Sequence, residues 1–476
     1  MDFDEQTCEQ ARLNRDARFD GRIFIGVTTT GVYCRPVCPS PHARRENVRY
    51  FPSAAAAAEA GLRPCLRCRP EVAPGTPAWN GTSTTVSRGL RLIAEGALDE
   101  SNIEALAERL GVTSRHLSRL FLRHLGASPT TIARTRRVLF AKQLLSDTNL
   151  TIAQIAMAAG FGSIRRFNDV FRQYYGRPPS ELRRRGRPPS LSEGEYVLRL
   201  AYRPPYDWDA LLQFLASRAI PGVESARGGV YRRTILSQGC QGLLEVTPEP
   251  SVDMLRVRIQ LPRADGLLQV VTQMRVMFDL AADPELIERH LGADPLLAPL
   301  LRAHPGRRLP GAWDACEIVI QALLEEHCPP RRTRELLGLI AERYGAPVKF
   351  GAAQDLSYTF PHAQALAAAD LDDLPRPAAQ TVRAASRVLC ALDGTTWRDQ
   401  LLTQLRTVVQ PEDSTLQYIA MRALDDPDAF PATGWDVAVG ARSPLRAAAG
   451  WQSRVPNWKP WRSYAALYLL DAASAG

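Results

Sequence analysis

Apolar residues in the middle of the chain recur with a helical period and are broken twice by the same kind of turn. In N-I-E-A-L-A-E-R-L-G-V-T-S-R-H-L-S-R-L-F-L-R-H-L-G, Ile103, Leu106, Ala107 and Leu110 fall on one helical face. Gly111 then permits a turn, and Thr113 or Ser114 can cap a second helix. In L-T-I-A-Q-I-A-M-A-A-G-F-G-S-I-R-R-F-N-D-V-F-R-Q-Y-Y-G the pattern repeats: Ile152, Ile155 and Ala156 line the first helix, Gly160 turns, and Ser163 caps a helix carrying Phe167 and Phe171. Phe161, Phe167 and Phe171 are expected in the core. Two helix-turn-helix units in tandem are thus predicted within residues 84–185.

Before and after this region the pattern changes. Residues 72–83 and 183–193 are rich in turn formers and predict linkers, the second one basic. Residues 195–262 alternate with a period of two in Y-V-L-R-L-A-Y and M-L-R-V-R-I-Q-L, around a helical D-W-D-A-L-L-Q-F-L-A-S-R-A, so a small α+β domain is expected there. From about Leu267 onward the chain reads as helices with short Gly and Pro breaks. At 476 residues it is too long for one core, and three or four domains are expected.

Charge sorts these domains by partner. Residues 1–190 hold 29 Arg and Lys against 17 Asp and Glu, a balance of +12, while residues 191–476 hold 30 against 33, a balance of −3. A polyanion-binding footprint therefore belongs to the first two-fifths of the chain. The acidic start M-D-F-D-E-Q and the lack of a long apolar run predict neither a secretory signal nor a membrane span, and a cytoplasmic protein is expected.

Cysteine spacing supplies the chemistry. Cys34 and Cys38 form C-x3-C, and Cys65 and Cys68 form C-x2-C; two such pairs can close a four-thiolate zinc site. Cys8, Cys240, Cys316, Cys328 and Cys390 are scattered and read as ordinary thiols of a reducing compartment. A zinc clip that only stabilises a small domain is the plain reading of the four.

The flanking residues add to it. T-T-G-V-Y-C-R-P-V-C-P, R-R-E-N-V-R-Y and R-P-C-L-R-C-R-P resemble the N-terminal domain of the Ada family of bacterial adaptive-response proteins. The resemblance implies a zinc-bound thiolate, matching Cys34, that takes a methyl group from a DNA methylphosphotriester in a single turnover. It also implies that the lost negative charge tightens the grip on the DNA backbone. Arg35, Arg44, Arg45 and Arg67 are its expected DNA-contacting cations. The tandem helix-turn-helix, ending A-G-F-x-S-x-R-x-F-N-x-x-F-R-x-x-x-G, resembles the AraC-type DNA-binding domain. Its recognition helices would present Arg115, His116 and Arg119, and Ser163, Ile164, Arg165, Arg166 and Asn168, to promoter DNA.

P-G-V-E, G-V-Y-R-R-T, F-D-L-A-A-D-P-E-L-I, Y-I-A-M-R-A-L-D-D-P-D-A-F-P-A-T and W-K-P-W-R-S-Y-A-A-L-Y resemble the AlkA family of DNA-3-methyladenine glycosylases. The expected fold is accordingly multidomain and mainly α. It comprises a zinc-bound α+β domain (1–75), an all-α tandem helix-turn-helix domain (84–185), an α+β domain (194–265) and an all-α helix-hairpin-helix domain (266–476). A fusion of these three families is known. Double-stranded DNA is the implied partner, RNA polymerase a second candidate, and a monomer is expected.

The family's site residues transfer poorly. Its L-P-G-(I/V)-G-x-W-T-A hairpin, whose glycines let the backbone meet a phosphate, corresponds to residues 408–416, which contain no glycine and include Glu412 and Asp413. The aspartate that stabilises the cationic sugar aligns with Gly434, with Asp436 two residues on. Pocket aromatics become Ser414 and Leu470, although Tyr418 is kept. The duplex-parting Q-x-V-S segment becomes Glu325-Glu326-His327-Cys328, in which a surface loop is expected rather than a metal site. The glycosylase half is therefore expected to be impaired. No P-C-H-R-type acceptor motif is present, so O6-methylguanine repair is not expected.

Overall fold

The computed structural model describes residues 3–74, 84–99, 102–183, 192, 194–348, 355–372, 374–392, 397–431 and 451–474. Most of both linkers, and Gly434 and Asp436, lie outside these residues. The chain divides into two compact units. The first is Met1–Pro204 with Pro248–Arg275 and Leu280–Asp283, and the second is Pro205–Thr247, Val276–Asp279 and Pro284–Gly476.

The first unit starts with α1 (Glu5–Leu13), which Asp4 caps by accepting from the Thr7 amide at 2.7 Å. Four short strands follow: β1 (Phe24–Val27), β2 (Val32–Cys34), β3 (Val48–Phe51) and β4 (Arg63–Pro64), in the order β3-β1-β2-β4. β1 pairs antiparallel with β2 and β3; β4 is parallel to β2, Val32 opposite Arg63 and Tyr33 opposite Pro64. α2 (Ala54–Glu59) covers the sheet, and Phe24, Tyr33, Phe51, Ala56 and Ala57 form the core between them. A Cβ at Gly26 would lie 2.5 Å from Leu62 Cδ1 and 2.6 Å from Phe51 Cε2, so any larger residue in β1 there would force those core side chains to move.

The helical part is α3 (Thr84–Ala94), α4 (Ile103–Arg109), α5 (Ser114–Leu125), α6 (Pro129–Asp147), α7 (Ile152–Ala158), α8 (Ile164–Tyr175) and α9 (Pro179–Leu182). Thr113 caps α5, Ser163 caps α8, and Thr151 with Gln154 closes a capping box on α7. Phe161, Phe167 and Phe171 are buried, as expected of core residues.

The zinc module and the helical part are one packed body. Gly126 ends α5 at φ +68°, where a Cβ would lie 3.0 Å from the Ala56 Cβ and 3.1 Å from Pro52 Cγ. Beside it, Ser53 Oγ donates to the Leu125 carbonyl at 2.8 Å. Gly176 ends α8 at φ +70° against the Arg63 guanidinium. Arg69 pairs with Asp147 at 2.8 Å and with Glu71 at 3.2 Å, and Lys142 of α6 reaches the same Glu71 at 3.4 Å. The unit also includes a strand pair, Glu195–Ala201 antiparallel to Met254–Gln260, and a fully buried ion pair, Arg22 to Asp283 at 2.8 Å.

In the second unit the strand Val230–Ser237 pairs antiparallel with Glu224–Arg227 and Cys240–Glu249, neither of which the quoted alternating stretches include. Arg233, 1% exposed, is held by Glu224 at 2.9 Å and Glu317 at 2.6 Å, so this buried cation has two carboxylates. Among the described residues the rest of this unit is mainly helical. Trp397–Val408 and Asp413–Ala423 flank the expected hairpin. No helix among the described residues is long and apolar enough to cross a membrane.

Gly126→Ala is expected to cost about 1–2 kcal/mol from the left-handed backbone, with a further loss from the clash with Ala56. Gly111, at φ +67° with nothing within 4 Å of its Cβ position, carries only the first cost. Thermal unfolding of the two alanine variants should therefore show the larger drop for Gly126.

Candidate metal centre and its surroundings

Strand β2 and the turn after β4 bring the four cysteines together. The Sγ atoms of Cys34, Cys38, Cys65 and Cys68 all lie within 4.8 Å of one another. Four sulfurs at roughly 2.3 Å from one tetrahedral ion would stand about 3.8 Å apart, so the set fits zinc. It is the one such cluster found among the described residues. Neither carboxylate nor imidazole belongs to it, which favours zinc over harder cations. His327 and Cys328 make no metal site: His327 is exposed with its Nε2 3.1 Å from Thr381 Oγ1, and Cys328 is buried.

Backbone geometry positions each thiol. Cys34 ends β2 opposite Ile25, and the Cys65 amide donates to the Tyr33 carbonyl at 2.9 Å, which ties the second pair to the first. The Arg35 amide donates to Cys68 Sγ at 3.3 Å. Hydrogen bonding within the cluster, led by Cys34, pulls the Cys38 thiol well down and Cys65 to about 6. Cys34 and Cys68 are pushed up, led by Cys38 and Cys34 respectively, so the four thiols share protons that a cation would displace. Three of the cysteines are buried; Cys34 is the partly exposed one.

The predicted contact cations divide. Arg35 is corrected to an internal cation. It is buried, its Nε donates to Asp20 Oδ1 at 2.9 Å, its Nη2 pairs with the same carboxylate, and its Nη1 donates to the Cys68 carbonyl at 3.1 Å. The motif R-P that follows Cys34 therefore braces the metal loop from behind. Arg44, Arg45 and Arg67 are exposed, Arg45 pairing with Glu5 at 2.6 Å. On α5, Arg115 and Arg119 are exposed, and the Arg119 Nη2 lies 2.9 Å from His116 Nδ1. On α8, Arg165, Arg166 and the apolar Ile164 are exposed, Asn168 is half-buried, and Ser163 spends its hydroxyl oxygen on the Arg166 amide at 3.2 Å.

In the second unit the segment 409–412 joins two helices as a hairpin, with Gln410 at φ +56° where a glycine would be unstrained. The Glu412 amide already donates to Glu326 Oε1 at 2.9 Å, and the 88% exposed Asp413 side chain pairs with Arg406. Three carboxylates surround this turn. Tyr418 is buried, and its hydroxyl accepts from Arg218 Nε at 3.0 Å and Arg422 Nη1 at 2.7 Å. Both guanidiniums also lie near its ring, 6.0 and 5.7 Å from the centroid. Glu325 is raised by burial, opposed by Arg218 and Arg422. Sequence reasoning missed this arginine pair. Both residues lie inside segments used to trace the fold, and nothing local shows that their side chains turn inward.

Three family models match the chain: the metal binding domain of Ada over residues 7–71, a helix-turn-helix domain over 106–185, and the AlkA N-terminal domain over 197–314. The Mycobacterium tuberculosis protein named probable bifunctional transcriptional activator/DNA repair enzyme AlkA is 38% identical over 487 residues, covering 98% of this chain and 96% of its own. DNA-3-methyladenine glycosylase 2 of Escherichia coli is 29% identical over 281 residues, 57% of this chain and 95% of that one. The bifunctional transcriptional activator/DNA repair enzyme Ada of Escherichia coli is 38% identical over 120 residues, 25% of this chain and 32% of that one. With its four-thiolate zinc site in the Ada-type domain, the chain belongs to the family of bifunctional transcriptional activator/DNA repair proteins that join Ada-type zinc and helix-turn-helix domains to an AlkA-type half.

Proposed function

We propose that this chain senses alkylation damage by taking a methyl group from a DNA methylphosphotriester onto Cys34, and regulates transcription through its helix-turn-helix domain. The AlkA-type half is proposed to be impaired in base excision. The observation that carries the sensor reading is that Cys34 is the partly exposed residue of the four while the other three cysteines are buried. Zinc, when bound, keeps the thiols ionised at neutral pH. Cys34 Sγ then attacks the methyl carbon; the S–C bond forms as the C–O bond breaks, and the electron pair leaves on the phosphate oxygen. The neutral triester becomes an anionic diester and the thiolate an uncharged thioether. The thioether has no route back, so the reaction runs once.

Losing one negative charge from the cluster lowers its repulsion for phosphates. Exposed Arg44, Arg45 and Arg67 are proposed to hold the backbone, and Arg115, His116, Arg119, Arg165, Arg166 and Asn168 to approach the groove. The buried Arg35–Asp20 pair holds the loop rigid from behind. Double-stranded DNA is the proposed partner and the cytoplasm the proposed compartment, with the chain acting as a monomer and RNA polymerase its candidate transcriptional partner.

Impairment of the other half is supported by the hairpin. A phosphate docking there would meet Glu326, Glu412 and Asp413, and the Glu412 amide is already engaged. Tyr418, the retained aromatic, is flanked by two guanidiniums, which oppose the approach of a positively charged alkylated base. Gly434 offers no carboxylate for the cationic sugar. A second reading, active excision of alkylated bases, is favoured by the name of the Escherichia coli glycosylase relative.

Cys34→Ala should abolish methyl uptake from phosphotriester DNA, and so should stripping the metal with a chelator; uptake that survives either one overturns the assignment. Base release from alkylated duplex DNA should be absent from the natural protein. Gly434→Asp should restore it if that single carboxylate is what is lacking. Robust release by the natural protein would establish the second reading.

A further inference from the structure

We propose that this chain carries a second ligand site, an oxyanion cradle of the phosphate type, formed by Arg136 of the helix-turn-helix region and Arg275 of the AlkA-type region. It is separate from the four thiols and does not rest on the sensor reading above.

The two guanidiniums are brought together within the first compact unit by α6 and the helix Leu267–Met277. Neutral acceptors fix Arg136. Its Nη2 donates to the Ala94 carbonyl at 2.7 Å and to Thr272 Oγ1 at 2.5 Å, and its Nη1 donates to the Ile93 carbonyl at 3.4 Å. Thr272 in turn donates to the Leu268 carbonyl at 2.7 Å, so its hydroxyl is engaged on both sides. Arg275 stands three residues beyond Thr272 on the same helical face, and the nearest charge it feels is that of Arg136.

The pair lacks a counter-charge. Arg275 is influenced by Arg136 and Arg35, both of its own sign, and Arg35 is already neutralised by Asp20. The carboxylate that Arg136 feels is Asp99, which pairs with Arg137 at 3.4 Å. Arg275 Nη1 is covered and has no hydrogen-bond partner among the described residues. Burial, the largest influence on each, holds both guanidiniums down at about 10. A covered cation without a partner is costly, and an anion bridging the two removes that cost. As whole residues both arginines are half-buried, so a small ion can enter between them. A planar guanidinium presents paired N–H donors that match two oxygens of one oxyanion, which favours phosphate over a halide. The same chemistry is offered by free phosphate and by a backbone phosphate of bound DNA.

The test uses the full-length zinc-loaded protein in phosphate-free buffer. Inorganic phosphate is the probe, sodium chloride at matched ionic strength is the control, and calorimetry and the unfolding midpoint are the readouts. Phosphate should raise the midpoint in a concentration-dependent way that chloride does not reproduce. Arg275→Met should weaken phosphate binding about tenfold or more, the loss expected when a charge-assisted donor is removed. Any general stabilisation by phosphate is common to both proteins, so their difference reports the site. In phosphate-free buffer Arg275→Met should unfold no earlier than the natural protein, because the charge it removes has no partner. A merely structural arginine would give the opposite result. Arg275→Lys keeps the charge without the fork and should bind phosphate with intermediate affinity. Competition between phosphate and a short duplex, with a salt slope smaller by about one for Arg275→Met, would identify a backbone phosphate as the occupant. Phosphate binding alongside DNA with an unchanged slope would identify a free anion. A phosphate response as large in Arg275→Met as in the natural protein, a chloride response equal to it, or an Arg275→Met protein that fails to fold would overturn the proposal.

Discussion

Four thiolates within 4.8 Å of one another repel strongly, and everything in the N-terminal module answers to that constraint. A divalent cation at the centre relieves most of the repulsion, and the protein supplies the rest through oriented dipoles and one internal cation. The Arg35 amide faces Cys68, and its guanidinium is fixed by Asp20 and the Cys68 carbonyl. The sheet around the site is only four short strands, so the metal loop and the helical domain beside it share the task of holding it. Of the four cysteines, Cys34 is the partly exposed one.

Much of this was legible in the sequence, and the reasons are local. The cysteine spacing gave the metal set, glycine and hydroxyl residues gave the turns and caps of both helix-turn-helix units, and the apolar period gave their cores. What escaped is long-range. Arg35 lies 15 residues from its partner Asp20, and Arg69 lies 78 residues from Asp147, separations at which no spacing rule operates. An arginine beside a metal motif is read as a surface cation because most arginines are exposed; only the fold shows that this one turns inward. The Arg218–Tyr418–Arg422 cluster was hidden in the same way, 200 residues separating its first pair.

In the AlkA-type half, scaffold and hairpin are held by different chemistry. Apolar positions and the buried Arg233 network with Glu224 and Glu317 maintain the scaffold, while the hairpin turn holds Gln410 in the left-handed region beside the carboxylates of Glu326, Glu412 and Asp413. Scaffold and surface turn answer to different physical demands, packing in one case and solvent and charge in the other.

The Arg22–Asp283 pair bears on how such a chain could evolve. Each side chain is 1% exposed, and the two lie 261 residues apart in sequence (283 − 22) while within the same compact unit. A gene split between the helix-turn-helix region and the AlkA-type half would leave a buried guanidinium in one product without its counter-charge. The pair thus places one charge of a buried couple on each side of that join, so each part carries a charge that the other neutralises.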